Sequence, residues 1–293
     1  MAEPCGATTT PRGAAWASLR RTVIVLGALS RDAVRRGALR AFTRGTAGLV
    51  GFLALGEVAT RSGLVPRASL PPPSVVLAGL AGLLADETFL LDVIATVLAL
   101  VIAVAVASAI AVPLGLVLGG NPAVRQATRA VVEFLRPIPS VALIPLALVL
   151  LGSGPETKIA LAVYASVWPI LFNTVYALDE LDGLLVETAR AFGCGRLRVL
   201  LSVALPSALP FVLTGVRLAA TTSLVVLVST ELLTGGNPGI GEFILEAGSG
   251  AGRMDLVLAG TVLAGILGYL VNAAFEGAGR RLLGWSALTR GRS

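Results

Sequence analysis

The stretch LDVIATVLALVIAVAVASAIAVPLGLVL, residues 91–118, contains a single charged residue, Asp92. A helix that crosses roughly 30 Å of hydrocarbon needs about 20 mostly apolar residues, so this stretch is long enough to span a bilayer. The whole chain fits that environment, because 55% of its 293 residues are hydrophobic, only 14% are charged, and the mean hydropathy is +0.87. The composition therefore predicts an all-α polytopic membrane protein.

Other apolar runs of similar length bring the predicted number of transmembrane helices to about six. The predicted spans are 46–60, 91–118, 131–151, 159–178, 209–233 and 256–275. The first is the shortest and carries Glu57. We accordingly divide the chain into a basic tail at 1–44, a first transmembrane helix with its following loop at 45–90, a transmembrane domain at 91–276, and a second tail at 277–293.

The positions of the basic residues predict the orientation of the chain, because loops on the cytoplasmic side retain Lys and Arg. With the N-terminus inside, 17 of the 23 basic residues fall on the cytoplasmic side and four on the opposite side. Both termini and the segment 179–207 are then cytoplasmic. The net charge of +6 is explained by this topology, and since no aromatic residues are interleaved with the arginines, nucleic acid is not an expected partner.

Residue types exclude several kinds of chemistry. The sequence has no histidine, which removes the commonest general base and metal ligand. Its only lysine is Lys158, in GSGPETKI, which lacks the second glycine and the hydroxyl of a nucleotide-binding P-loop. We therefore expect a protein that is not an enzyme and holds no metal or cofactor, so that any ATP it depends on is bound by a partner.

The segment 179–207 is far longer than the few residues needed to connect two antiparallel helices, which indicates a function. Leu185, Ala189 and Phe192 recur at helical spacing and predict a short amphipathic helix. Gly193 follows, and glycine readily adopts the left-handed conformation that ends a helix. A second helix is predicted to begin near Arg196 and to lead to Leu205 and Pro206. Such a pair of helices could contact another protein or rest on lipid headgroups as an amphipathic elbow.

The spacing within this segment resembles the EAA motif of ABC importer permeases, in which E-A-A is followed after three residues by G and after nine more by I-x-L-P. The matching positions are Glu187, Thr188, Ala189, Gly193, Val203, Leu205 and Pro206. Thr188 stands where alanine is usual and Val203 where isoleucine is usual. Residues 70–76, 133–152 and 255–276 also look like the nitrate, sulfonate and taurine branch of these permeases.

This resemblance implies a type I ABC importer permease fold in a bacterial inner membrane, with the EAA segment acting as a coupling helix in a groove of a separate ATPase. It further implies two cytosolic ATPase subunits, a second permease copy that forms a homodimer, and an extracytoplasmic solute-binding protein that delivers a small anion such as taurine, an aliphatic sulfonate or nitrate. The alternative is a self-sufficient secondary transporter or channel, energised through Glu57, Glu231 or Arg217.

Several residues in the predicted spans are candidates for the transport pathway or its gate, and each has a structural alternative. They are Pro137, Pro139, Asn173, Arg217 and Glu231. The prolines could bend a gating helix or merely kink it for packing. Asn173 could bind a neighbouring helix, and Arg217 and Glu231 could extend their charged ends to the membrane surface.

Overall fold

The computed structural model describes residues 43–63, 66, 70–249 and 252–282, and within these ranges every regular element is a helix. Most of the predicted N-terminal tail and the end of the C-terminal tail lie outside the described residues. The chain divides into two compact units, Met1–Arg67 and Ala68–Ser293. The prediction of an all-α fold is confirmed.

The first unit contains helix α1, residues 43–61, which includes the predicted span 46–60. The Thr60 hydroxyl donates to the carbonyls of Gly56 and Glu57 at 2.9 and 3.1 Å, and Glu57 pairs with Arg61 at 2.7 Å. With Arg44, Glu57 and Arg61 among its residues, α1 is not one of the helices that are long and apolar enough to cross a membrane.

The second unit is a bundle of helices that follow one another with short connections. The helices are α2 (Pro73–Leu83), α3 (Glu87–Gly120), α4 (Pro122–Leu135), α5 (Ile144–Leu151), α6 (Pro155–Asp179), α7 (Gly183–Ala191), α8 (Arg196–Val199), α9 (Leu205–Thr234), α10 (Ile240–Ser249) and α11 (Met254–Leu282). A 3₁₀ turn, Ser140–Leu143, precedes α5, and a π-helical turn, Leu200–Ala204, joins α8 to α9.

Among the described residues, four helices are long and apolar enough to cross a membrane, or five if one bent pair counts as a span. The four are Glu87–Gly120, Pro155–Asp179, Leu197–Thr234 and Met254–Arg281. Each contains one of the predicted spans and extends it at both ends, because caps and polar turns continue the helix beyond its apolar part. The predicted number of six is therefore not confirmed.

The predicted third span, 131–151, is wrong as a single helix. Helix α4 and the segment Ser140–Leu151 meet at an angle of 77°. Pro137 and Pro139 lie in the break and have no N–H, so the carbonyls one turn earlier lose their helical donors. The same prolines that the sequence placed inside a span thus divide it.

Helix α6 braces this bend from the side. The Tyr164 hydroxyl donates to the carbonyl of Leu135 at 2.7 Å. In a regular helix the N–H of residue 139 would donate to this carbonyl, but Pro139 has no N–H. The Arg136 guanidinium lies 4.3 Å from the centre of the Phe172 ring, at a distance typical of a cation–π contact. Two side chains of α6 therefore hold the bend in place.

Helix α6 lies between α3 and α9 and forms the centre of the unit. Small residues let these helices approach closely, which is how helices associate in lipid, where apolar burial gives no net gain. A Cβ on Gly115 of α3 would lie 2.6 Å from Thr174 of α6. A Cβ on Gly215 of α9 would lie 2.9 Å from the Asn173 side chain and 3.0 Å from the Pro169 carbonyl. Both helix crossings thus require glycine.

We predict that Gly215→Ala lowers the apparent melting temperature of the detergent-purified protein by about 5 °C, since the added methyl overlaps the backbone of α6. Gly265→Ala is the matched control, because Gly265 is a helical glycine of α11 at which an added Cβ would meet no atom within 4 Å. Alanine favours a helix, so this control should be neutral or stabilising. Equal melting temperatures for the two variants would contradict the close crossing of α6 and α9.

Candidate functional site

Helix α7 forms the first half of the segment 179–207. The Asp182 side chain accepts the backbone N–H of Leu184 at 2.9 Å and caps its first turn. At the other end Gly193 has φ of +79°, and its N–H donates to the carbonyl of Arg190 at 2.9 Å. The predicted left-handed glycine and the helix that it ends are both confirmed.

The second half of the segment is helical from Arg196 onward, as predicted, and Pro206 lies in the first turn of α9. Helix α8 continues through the π-helical turn into α9, and the Leu205 N–H donates to the carbonyl of Leu200. The wider turn lies directly before Pro206, whose ring would crowd the carbonyl one turn earlier in a regular α-helix. One continuous helix, Leu197–Thr234, therefore runs from this segment to the end of α9.

The surface of the 179–207 segment is unusually apolar for an exposed connection. Leu184, Phe192 and Leu197 are 67%, 84% and 69% exposed. Glu187 is also exposed and contacts no partner in any described hydrogen bond or ion pair. An exposed carboxylate and several large exposed apolar side chains in one short segment are typical of a surface that another molecule covers.

The other residues of the motif lie on α7 and its end, in the π-helical turn and at the start of α9. Thr188 is exposed and donates to the carbonyl of Leu184 at 2.6 Å, while Ala189 is half-buried. Val203 and Leu205 are half-buried in and after the π-helical turn, and Pro206 is exposed. The structure therefore places the motif residues in one connected segment. Glu187, at the start of the motif, has no hydrogen-bond or ion-pair partner among the described residues.

A cavity of 1090 Å³ separates α7 and α8 from the ends of α3 and α6. Glu187 and Arg190 line it on the α7 side, and Gly119, Asn121 and Leu178 line it on the other. The segment is therefore held away from the bundle over part of its length.

The candidate pathway residues do not meet in one site. The Asn173 amide donates to the carbonyl of Pro169 in its own helix at 2.8 Å, so it does not bind a second helix through this bond. The Arg217 guanidinium donates to Asn272 of α11 at 2.6 Å and approaches Glu276 at 3.4 Å. Arg217 and Glu231 share α9 but stand about 21 Å apart along its axis, from a rise of about 1.5 Å per residue.

Glu231 is fully buried, and the interpretation of a carboxylate extended to the membrane surface is wrong. Its Oε1 accepts from Lys158 Nζ at 2.7 Å, and the Thr96 hydroxyl lies 2.9 and 3.0 Å from its two oxygens. We call Thr96, Lys158 and Glu231 the Glu231 cluster. It joins α3, α6 and α9, and the buried positive charge of Lys158 neutralises the carboxylate.

Sequence reasoning missed this cluster because Lys158 and Glu231 are 73 residues apart. One signal could have found it. The only lysine of the chain and a glutamate both lie within apolar segments, and an ionised group there requires a counter-charge.

The bundle of long apolar helices, with an exposed segment that carries an unpaired carboxylate, is that of a polytopic membrane protein with a surface for a partner. The chain belongs to the family of binding-protein-dependent transport system inner membrane components, whose family profile matches residues 111–283.

Two relatives illustrate the family. The chain is 30% identical over 228 residues to the taurine transport system permease protein of Escherichia coli (strain K12), covering 76% of this chain and 82% of that protein. It is 31% identical over 160 residues to the nitrate import permease protein of Leptolyngbya laminosa, covering 55% and 57%.

A solved structure supports the fold. An inward-facing structure of the MetNI methionine ABC transporter matches with a TM-score of 0.59 and 22% identity, covering 66% of this chain and 95% of that chain. At that identity the likeness concerns the fold alone, and it agrees with the predicted ABC importer permease architecture.

We predict that Gly193→Val raises amide hydrogen exchange in residues 183–195 about tenfold, since a left-handed backbone costs a β-branched residue about 1–2 kcal/mol. Gly195→Val is the matched control, because both glycines are exposed, an added Cβ would meet no atom within 4 Å at either, and only Gly193 has a positive φ. Similar exchange in the two variants would show that the left-handed turn does not hold the end of α7.

Proposed function

We propose that this chain is the membrane-spanning permease subunit of an ATP-driven ABC importer. The observation that carries the proposal is the exposed surface of the 179–207 segment, which presents the unpaired Glu187 and the large apolar side chains of Leu184, Phe192 and Leu197. The family membership, and the match of this segment to the EAA motif, support an ATPase subunit as the partner that would cover that surface. Glu187, Thr188, Ala189 and Gly193 would form the docking helix and its end.

The transporter would contain two copies of this permease as a homodimer, two cytosolic ATPase subunits and an extracytoplasmic solute-binding protein. ATP binding would close the ATPase pair and draw the two 179–207 segments together, and hydrolysis would allow them to return. Because α8 continues into α9 without a break, a displacement at Leu197 would be transmitted along the helix towards Glu231. ATP would bind only to the partner, so the permease itself would be neither an enzyme nor a cofactor protein.

The chain would lie in the inner membrane of a bacterial cell with both termini in the cytoplasm. Its parts would be the tail 1–44, the first helix and loop at 45–90, the transmembrane domain at 91–276 and the tail 277–293. The distribution of arginine supports this orientation, because cytoplasmic loops retain Lys and Arg. The 179–207 segment would then face the cytosolic ATPase.

The transported solute would be a small anion. The relatives named above import taurine and nitrate, which both carry a negatively charged oxygen group. Uptake of labelled taurine, ethanesulfonate and nitrate by cells that produce the permease with its neighbouring transport subunits would test the proposal. Uptake of one of them, dependent on ATP, is the expected result, and uptake driven only by an ion gradient would favour a secondary transporter.

The secondary transporter is the weaker alternative. Such a protein would need a titratable group that reaches its pathway, and Glu231 has no exposed surface and is held by Lys158 and Thr96. Arg217 is also held, by Asn272 of α11, and Glu57 pairs with Arg61. Binding energy from a partner is therefore the better supported source of movement.

We predict that Glu187→Lys reduces copurification of the ATPase subunit at least tenfold while membrane abundance stays normal. A reversed charge enclosed at an interface costs several kcal/mol, whereas the exposed side chain contributes little to the fold of the free chain. The readouts are permease abundance, ATPase copurification and anion uptake on the same membranes.

Glu246→Lys is the matched control, since Glu246 is likewise an exposed helical glutamate but lies on α10. It should leave ATPase copurification unchanged. Normal copurification of the ATPase with Glu187→Lys would mean that the 179–207 segment does not dock the ATPase. ATP hydrolysis by the purified permease alone would contradict the assignment of ATP hydrolysis to a partner subunit.

We also predict that a cysteine at Gly195, in a chain without its two native cysteines, reacts with an impermeant maleimide only after the cells are opened. Gly195 is exposed in the 179–207 segment and has space around it, so accessibility reports sidedness and not burial. Labelling from outside intact cells would show that the 179–207 segment faces the opposite side of the membrane, where no cytosolic ATPase could dock.

A further inference from the structure

The Glu231 cluster also binds backbone groups, and through them it holds the connection between α9 and α10. The ammonium of Lys158 donates to the carbonyl of Pro238 at 2.8 Å as well as to Glu231. The N–H of Gly241 donates to Glu231 Oε2 at 3.1 Å. One carboxylate and one ammonium therefore connect α6, α9 and the start of α10.

The first N–H groups of α10 are satisfied by side chains of α3 and α9. The N–H of Gly239 donates to Asp92 Oδ1 at 3.1 Å, and the N–H of Ile240 donates to Thr96 Oγ1 at 3.1 Å. Together with the bond from Gly241 to Glu231, these take up three donors that a helix N-terminus otherwise leaves free. The negative charge of Glu231 at this position also interacts favourably with the dipole of α10.

The fit around the carboxylate is close. A Cβ on Gly239 would overlap the Glu231 carboxylate, and a Cβ on Gly241 would overlap the carbonyl of Val228. The side chain of Lys158 is only 5% exposed and that of Glu231 is fully buried. Separating them would leave two unpaired charges in an apolar interior, which is far more costly than separating an exposed pair.

We infer that Lys158 and Glu231 are positioning residues. They keep the ends of α3, α6 and α9 that carry the Glu231 cluster together with the connection 235–239 and α10, as one unit throughout transport. The role during transport rests on the proposed function, whereas the pairing of Lys158 with Glu231 does not. Movement driven from the 179–207 segment then turns the unit as a whole and does not part α6 from α9 at Lys158.

The contribution of the pair can be measured without transport. Lys158→Met removes the ammonium and leaves Glu231 buried, and Glu231→Gln removes the charge of the carboxylate. Each should lower the apparent melting temperature of the purified protein by about 10 °C, and the double variant should lose less than the sum because it leaves no buried charge alone.

The matched control is Asp179→Asn, which breaks the ion pair with Arg125. That pair has the same 2.7 Å distance, but its side chains are 47% and 43% exposed, so the melting temperature should fall by no more than about 2 °C. If the Lys158 and Glu231 variants behaved like this control, or if their effects simply added, the pair would not hold the unit together.

The second test asks whether α6 and α9 stay together while the transporter works. Asn237, after α9, donates through its side-chain amide to the carbonyl of Ser153, before α6, so cysteines at these positions can be joined by a short bifunctional maleimide. The background carries Cys5→Ser and Cys194→Ser. The expected result is that Ser153→Cys/Asn237→Cys cross-links equally fast with and without ATP and vanadate, and keeps its anion uptake after cross-linking.

Loss of uptake in the cross-linked double variant, with normal uptake in both single-cysteine variants treated with the same reagent, would overturn the inference. So would a cross-linking rate that falls severalfold in the vanadate-trapped complex. If the parent chain transported none of the three anions, the proposed substrate class would fail, yet the melting temperatures and the cross-linking rates would still decide the role of the pair.

Discussion

An ionised carboxylate cannot remain unpaired in an apolar interior, and this constraint on Glu231 determines how one end of the bundle is built. Lys158 supplies the counter-charge from α6, Thr96 donates from α3, and the N–H of Gly241 donates from α10. Because the carboxylate and its partners come from four helices, it can be satisfied only when all four are in place. The glycines at 239 and 241 follow from the same requirement, since any larger residue would occupy the space of the carboxylate or of α9.

The exposed 179–207 segment and the Glu231 cluster lie towards opposite ends of one helix. Leu197–Thr234 is continuous, with a length of about 57 Å at about 1.5 Å per residue, and it begins in the 179–207 segment and includes Glu231 near its other end. The π-helical turn before Pro206 preserves this continuity, because it accommodates a proline that would otherwise break the helix. A contact made at the surface of α7 and α8 is thereby connected mechanically to the Glu231 cluster.

The helices next to α9 are arranged around the same need for close packing. Helix α6 meets α3 at Gly115 and α9 at Gly215, and its Tyr164 hydroxyl supports the bend between α4 and α5. The bend itself exposes backbone carbonyls, and a neighbouring hydroxyl satisfies one of them, which is how irregular backbone is tolerated within a membrane bundle. The Pro137–Pro139 region is thus fixed by α6 in this conformation.

The sequence by itself determined the medium, the helical class, four of the long spans and the shape of the 179–207 segment. These are local properties: apolar length fixes a spanning helix, and Gly193 fixes the end of α7 through its own backbone conformation. The number of spans, the bend between α4 and α5, and the state of Glu231 were decided only by tertiary structure. Each depends on groups far apart in the chain: Tyr164 and Phe172 brace a bend near Arg136, and Lys158 meets a carboxylate 73 residues away. No periodicity along the chain records such pairs, because they arise only when the helices that carry them pack side by side.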